Sequence, residues 1–460
     1  METPLRYFRW LACLSVALVT AFAVLPSGAA AQAWMSDRSR TEGPGFRVGD
    51  FELHPGLGVE IGYDSNLYYS DDDEVFPVVD TGVLRATAHL LFSTRGAQRR
   101  QEGEAGGGEA NNQNASLPSV TFRGGVSGAF YTFFNDLDRS NMEVDASLAL
   151  AILPGRAFSV SLTEEFGRSI RPFTENSMTR VSYARLQNDV GLQLNFATPG
   201  EVLKITPGYR FGLTFFEDAF FQWGNRFTHT VSLTETFRFL PQTAIVHDTS
   251  FVALDYFGDA SMAPVLTNDA YTLRSRIGLN GALTSNFSFL AMVGYAAGFF
   301  ESGLASYDQE YESVVAQVEA RWQISEPTRL TFGYERDFQP SFIGNWYRRD
   351  RGYATFQWLI DGRFMLGTEA GFGHYEFGRI VQPDGMALGT TLTRGDYRLD
   401  VSLFGEYRFT DWLGLNATLQ YTGAFTDYQY RVATPPPDMA IIDPAGFNKF
   451  QAWFGARVFY

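Results

Sequence analysis

From Phe51 to the C-terminus, apolar residues return at every second position through run after run of this chain. Each run spans roughly 10–14 residues and ends in a turn or a polar loop, the pattern of a strand with one apolar face. In Met142–Ile152 the apolar face is Met142, Val144, Ala146, Leu148, Leu150 and Ile152, with Glu143, Asp145 and Ser147 opposite. In Leu203–Phe215 it is Leu203, Ile205, Pro207, Tyr209, Phe211, Leu213 and Phe215, set against Lys204, Thr206, Arg210 and Thr214. Tyr397–Phe409, Leu413–Phe425 and the final Phe450–Tyr460 alternate in the same way.

A water-soluble sandwich also alternates, but its strands are usually about 5–6 residues long. Here the apolar face runs on for about ten residues with aromatics at its ends, while the other face carries charge along its length; that is the pattern of a strand between lipid and an aqueous interior. The composition agrees, with 42 Phe, 22 Tyr and 45 Gly among 460 residues. No run reaches 18 consecutive apolar residues after the N-terminus, so no spanning helix is expected. The chain reads as all-β, a transmembrane antiparallel β-barrel.

The N-terminus reads as an address. Arg6 and Arg9 precede the apolar run Leu11–Leu25, and Ala29-Ala30-Ala31 and Ala31-Gln32-Ala33 offer small-x-small cleavage sites, which together describe a signal peptide over residues 1–33. Residues 34–50 are then a periplasmic N-terminal segment and 51–460 the barrel. Cys13 is the one cysteine, so the mature chain forms no disulfide. A net charge of −15 excludes a generally basic nucleic-acid binder.

Turn formers recur at Leu153–Gly155, Thr198–Gly200, Pro241-Gln242, Thr284–Asn286, Glu326-Pro327, Asp361-Gly362 and Thr410-Asp411, and these are assigned to the periplasmic side. Gly96–Ser116 replaces one tight turn with a Gly/Glu/Asn/Gln-rich insert. The longer loops between them, nine in number, require eighteen strands; the blurred patterns at Ala244–Phe257 and Tyr347–Ile360 leave sixteen as the alternative.

A barrel of this width is expected to enclose an aqueous channel. The inward positions of the alternating runs hold Arg123, Arg185, Arg210, Arg238, Arg274, Arg276, Arg321, Arg349, Arg351, Arg398, Arg408 and Arg457, with Glu319 and Glu335 among the acids. These residues are the expected translocation path. They either pair across strands to keep the lumen wet or form a basic ladder for an anionic or hydroxyl-rich solute. The acidic run Asp71–Glu74 is expected to be solvated, with oxygen ligation of a divalent cation as the alternative. Loop aromatics Phe220, Phe221, Trp223, Trp346, Tyr347, Tyr428 and Tyr430 are expected to belong to the interfacial girdle, with stacking of a minority on sugar rings as the alternative. Glu164 and Glu235 break the rule by falling on apolar faces, within the near-identical Val160–Phe166 and Val231–Phe237 segments; a β-bulge or an interfacial depth would resolve the conflict.

No Gly-x-Ser-x-Gly, His-Glu-x-x-His, Walker loop or Cys/His cluster occurs, and the five histidines fall on separate runs. The chain is therefore expected to be no enzyme and to need no cofactor or metal.

The barrel opens with Gly56–Tyr68, in which Tyr63-Asp64-Ser65-Asn66 forms a turn ahead of the acidic loop, and it ends in Val458-Phe459-Tyr460. This opening and the aromatic ending resemble outer-membrane proteins of the putative β-barrel porin-2 type, which include myxobacterial exopolysaccharide-secretion barrels. The resemblance implies an outer-membrane pore that passes a polymer, exopolysaccharide, with a periplasmic polysaccharide-export protein as partner and outer-membrane lipid around it. It carries over no catalytic residue. A general or solute-selective diffusion porin is the alternative, and a structural or adhesive barrel the second. A loop folded into the lumen would favour the porin, an unobstructed lumen export, and a plug formed by Trp34–Asp50 gating.

Overall fold

The computed structural model describes residues 45–49, 51–71, 77–94, 119–137, 140–170, 184–258, 268–301, 310–341, 344–380, 391–432 and 441–460. The signal-peptide region, most of segment 34–50, the insert 96–116 and Asp72–Glu74 lie outside these residues.

The strands are β1 (Phe46–Val48), β2 (Phe51–Asp64), β3 (Thr81–Thr94), β4 (Val120–Phe133), β5 (Asn141–Ile152), β6 (Phe158–Ser169), β7 (Arg185–Ala197), β8 (Leu203–Phe216), β9 (Arg226–Leu240), β10 (Thr243–Tyr256) and β11 (Ala270–Thr284). They continue as β12 (Phe287–Phe300), β13 (Glu310–Ser325), β14 (Thr328–Pro340), β15 (Trp346–Ile360), β16 (Phe364–Phe377), β17 (Gly395–Thr410), β18 (Leu413–Phe425), β19 (Gln429–Val432), β20 (Ile441–Pro444) and β21 (Phe447–Phe459). Strands β2 to β18 follow one another as antiparallel neighbours. Strand β21 then pairs with β18 on one side and with β2 on the other, from Gly56↔Phe459 to Asp64↔Gln451. The result is a closed barrel of eighteen strands, with β1 a three-residue stub on the edge of β2 beyond the end of β21. Strands β19 and β20 form a separate hairpin in the loop between β18 and β21. The two blurred regions resolve as single strands, β10 and β15, which settles the count at eighteen rather than sixteen.

Closure pairs each wall strand with a neighbour on both sides through the body of the ring, so the backbone groups there find partners. The alternation sorts the faces as the sequence requires. On β2, Leu57, Val59 and Ile61 are more than half exposed to the outside, whereas Glu60 and Asp64 between and beyond them are buried inside. Exposed Val126 and Phe130 on β4, Val231 and Phe237 on β9, and Phe454 and Val458 on β21 continue the apolar exterior around the ring. Leaving each such side chain in water would forgo about 1.5–3 kcal/mol of burial, so this surface belongs in lipid. No helix among the described residues is long and apolar enough to cross a membrane; the crossing is made by strands. This is the architecture of a bacterial outer-membrane barrel.

The short turns close as their residues dictate. At Asp361-Gly362 both central residues have positive φ (49° and 65°), and the Arg363 N–H donates to the Ile360 carbonyl at 3.1 Å. That is a type I′ hairpin, and its second position suits glycine because no Cβ opposes the left-handed conformation.

Candidate functional site

Eighteen strands spaced ~4.8 Å apart and tilted ~40° give a backbone cylinder ~36 Å across. What occupies this space defines the site. All fourteen residues expected along the translocation path lie on the inward face of their strands, opposite the exposed apolar positions.

Most of them pair. Arg276 is bidentate to Asp248 (3.0 and 2.6 Å) and also reaches Gln317 at 3.2 Å. Arg349 meets Glu335 at 2.9 Å, and Arg321 meets Glu319 at 2.8 Å. Glu319 also accepts from the Tyr353 hydroxyl at 2.6 Å. Arg351 lies 3.6 Å from Glu369, with its guanidinium 5.7 Å from the Tyr353 ring centroid. Arg238 sits at the short-turn end, 3.4 Å from Glu201. Arg123 and Arg210 face the lumen from β4 and β8, and Arg185 is buried beside the start of β7.

Two charged partners, Glu60 and Arg85, were not singled out from sequence. At the seam where β2 meets β21, buried Glu60 receives Arg85 and the Asn416 amide, with Arg457 at 3.8 Å. Arg457 also approaches Glu406 (3.9 Å), which binds Arg408 at 2.8 Å. Arg85 in turn lies 4.4 Å from the Trp453 ring centroid. One position higher on the inward face of β2, Gly62 accepts the Trp453 ring directly over its backbone: a Cβ there would meet the ring at 2.4 Å.

The Tyr63–Asn66 turn completes this seam. Lys449 bridges Asp64 (2.7 Å) and the Asn66 carbonyl (2.9 Å). The Asn66 amide donates to the carbonyls of Ser70 (2.7 Å) and Asn448 (2.9 Å), and Gln451 donates to Asp64 at 2.8 Å. The motif is a clasp between the first and last wall strands.

The loop end is narrowed. Pairing of β13 with β14 stops at Ala316↔Arg336, while β14 and β15 stay paired to Pro340↔Trp346. The top of this hairpin therefore leaves the wall and folds inward. Phe338, with no exposed surface, packs with Leu254, Ala270, Ala296, Phe300 and Val315, inward residues of β10 to β13. Trp346 stacks on Tyr311 at 3.6 Å. Arg274 holds the hairpin from β11, pairing with Asp337 at 2.8 Å and donating to the Phe338 carbonyl at 3.0 Å.

A second cluster completes the lid. Phe216, with Phe221 and Trp223 of the 3-10 turn Ala219–Gly224, joins Tyr347, Tyr375, Phe377, Ile380, Tyr428 and Ala445. Strands β8 and β16 stand on nearly opposite walls, so this cluster reaches across the mouth. Beneath it Arg394 is bidentate to Asp396 (2.8 and 2.7 Å), Arg398 shares that carboxylate at 2.8 Å, and the two guanidiniums lie against Phe377 (4.9 Å) and Tyr375 (4.4 Å). Two cations on one carboxylate keep these buried charges compensated.

The lid corrects an expectation. Phe221, Trp223, Trp346, Tyr347 and Tyr428 are buried, not part of a lipid-facing girdle. The alternation orients side chains only within the wall, and beyond the strand ends burial against other loops decides. The side chains of Phe220 and Tyr430 lie outside the described set.

On the exterior, one of the two expected ways of accommodating Glu164 and Glu235, the β-bulge, is absent. Glu164 and Glu235 do face outward, but the ladders on either side of each run through without a register shift at that residue. No β-bulge relieves them; other side chains do. Glu164 accepts from Asn188 at 3.3 Å. Glu235 lies opposite His247, with Oε2 3.0 Å from Nδ1. The other ring nitrogen, Nε2, is 3.1 Å from Ser275 Oγ and 3.2 Å from Thr249 Oγ1, and those two hydroxyls are 3.0 Å apart. The histidines do lie on separate strands, as expected, and the grouping of His247 with Glu235, Thr249 and Ser275 comes from the register of β9, β10 and β11.

No family model and no curated protein sequence matches the chain. Among solved structures it is similar to the outer membrane protein OpdK from Pseudomonas aeruginosa, at 11% identity over 89% of this chain and 99% of that one, with a TM-score of 0.42. It is also similar to OccAB4 from Acinetobacter baumannii, at 10% identity over 89% and 98% of the two chains, with a TM-score of 0.42. The siderophore receptor PirA from Pseudomonas aeruginosa matches at 10% identity over 89% and 80%, with a TM-score of 0.40.

Proposed function

We propose that this chain is a solute-selective diffusion channel of the outer membrane. One observation carries the reading: an otherwise wide barrel is narrowed at its loop end by the inward β14–β15 hairpin and the aromatic cluster around Tyr347 and Phe377. A polymer conduit needs clear width along its axis, whereas a narrowed mouth above a charged wall selects small hydrophilic solutes by size and hydrogen bonding. The arginine–carboxylate pairs along Arg276, Arg349 and Arg321 offer both donors and acceptors to such a solute.

Proteoliposome swelling with sugars and carboxylates of increasing size tests the reading. Small solutes are expected to enter and oligosaccharides above the mouth's width to be excluded; equal entry of long oligosaccharides would overturn it. A second reading, exopolysaccharide export with a periplasmic polysaccharide-export protein, draws support from the backbone width and from the likeness of the Tyr63–Asn66 turn. It requires the lid to lift. Loss of surface polysaccharide in a strain lacking the gene, restored by complementation, would favour it over the channel.

A further inference from the structure

We propose that the exterior of the barrel carries a second site, independent of the lumen, in which Ser275, His247 and Glu235 cleave acyl esters of membrane glycerophospholipids. The relay runs from Glu235 Oε2 to His247 Nδ1 (3.0 Å) and from His247 Nε2 to Ser275 Oγ (3.1 Å). Those are the distances of a nucleophile, its base and the carboxylate that orients the base, an arrangement recognised by geometry and role rather than by fold.

Location sets the substrate. The outward neighbours along the three strands are apolar, Leu233 and Phe237 on β9, Ile245 and Phe251 on β10, Leu273 and Ile277 on β11, with Tyr295 of β12 opposite Ser275. Carboxylates and imidazoles on a lipid face are costly, and on β2–β5, β17 and β18 the outward wall positions carry no charged residue at all. Phe237 and Phe239 mark the short-turn end of β9, where aromatic side chains meet lipid headgroups. Glu235 is one outward position above Phe237, ~5 Å deeper along a tilted strand. Ser275 lies higher on the wall, two outward positions below Tyr271 near the loop end of β11 and opposite Tyr295 of β12, so the relay climbs from the short-turn half of β9 toward aromatics of the kind that meet headgroups, glycerol esters and interfacial water on the loop side. The near-copy of this segment provides a contrast, because Glu164 meets Asn188 rather than a histidine.

The chemistry balances with water as co-reactant. Ser275 Oγ bonds to the acyl carbonyl carbon as its proton passes to His247 Nε2. Glu235, a positioning residue, stabilises the imidazolium. Thr249 Oγ1, 3.0 Å from Ser275 Oγ, is the hydroxyl placed to donate to the developing oxyanion. Collapse breaks the ester C–O bond, and the leaving glycerol oxygen takes the proton from Nε2. Water, deprotonated by the same nitrogen, then cleaves the acyl-serine to release the fatty acid and restore Ser275.

The test uses the full mature chain in vesicles of phosphatidylethanolamine and phosphatidylglycerol. Lysophospholipid and fatty acid are quantified, and a fluorophosphonate probe is mapped by mass spectrometry. Labelling of Ser275 in the unaltered protein is expected, and Ser275→Ala and His247→Ala are expected to lower fatty-acid release by 100-fold or more. Glu235→Gln should displace the pH–rate profile and Glu235→Asp restore it, while Glu164→Gln leaves release unchanged. Channel conductance, which the site does not share, reports that each variant is folded. Absence of labelling at Ser275, or release from the Ser275→Ala barrel equal to that from the unaltered one, overturns the proposal; labelling at Thr249 instead overturns the assignment of the nucleophile.

Discussion

Replacing Phe338 with alanine should release the β14–β15 hairpin from the inner wall. Phe338 has no exposed surface, and its ring fills the space among Ala296, Phe300 and Val315. Truncating a buried phenylalanine costs about 3–5 kcal/mol when the cavity does not collapse. The wall below Ala316↔Arg336 does not depend on this packing, so the loss falls on the tucked state of the hairpin and not on the barrel. The Arg274 contacts to Asp337 and the Phe338 carbonyl survive the substitution, which places the effect at the lower end, about 3 kcal/mol. Each 1.4 kcal/mol is tenfold in a population, so the ratio of tucked to released hairpin should fall by about 100-fold. Single-channel recording in planar bilayers reads this directly as larger conductance and frequent transitions between levels. Unchanged conductance and an unchanged solute cut-off, in a protein with normal heat-modifiable migration, would refute the assignment of the hairpin as the constriction.

Three further outcomes follow from the wall. Glu60→Ala strips the carboxylate from Arg85, Arg457 and Asn416 and should destabilise the barrel by about 3–5 kcal/mol, seen as a lower temperature of heat modification. Asp64→Asn removes the charged partner of Lys449 and should cost about 1–3 kcal/mol in the same assay, leaving conductance unchanged. Gly62→Val drives a side chain into the Trp453 ring and should reduce the yield of assembled barrel, with recovery in the double variant that also carries Trp453→Ala.

The wall was legible in the sequence because its two faces contact different solvents. The twelve arginines named along the path, from Arg123 to Arg457, were placed by counting from an outward neighbour such as Val126 or Val458, and the turns at Leu153–Gly155 and Asp361-Gly362 announced themselves by composition, whereas inward Arg226 at the start of β9 was missed. The lid was not legible. Tyr347 and Trp223 lie beyond the alternating runs, and their partners come from distant parts of the chain. Nor was the exterior relay, since Glu235, His247 and Ser275 are neighbours only once the register of three strands is fixed. The two acids on the apolar face were nevertheless visible as violations of the alternation, and one of them, Glu235, belongs to that relay.

The clasp at Asn66 has a consequence for how the molecule is made. Its amide binds the carbonyl of Asn448, so a contact that seals the ring joins residues separated by almost the whole barrel sequence. Such a long loop closes slowly, and until it does the sheet has two unsatisfied margins. The last thirteen-residue strand is therefore both the final piece and the quality check: a chain that stops short of Phe447 would present Asp64 and Asn66 with no lysine or carbonyl to receive, and would remain an open, degradable sheet. Pairing of β21 with both β18 and β2 is thus the step that turns an open sheet into a closed barrel.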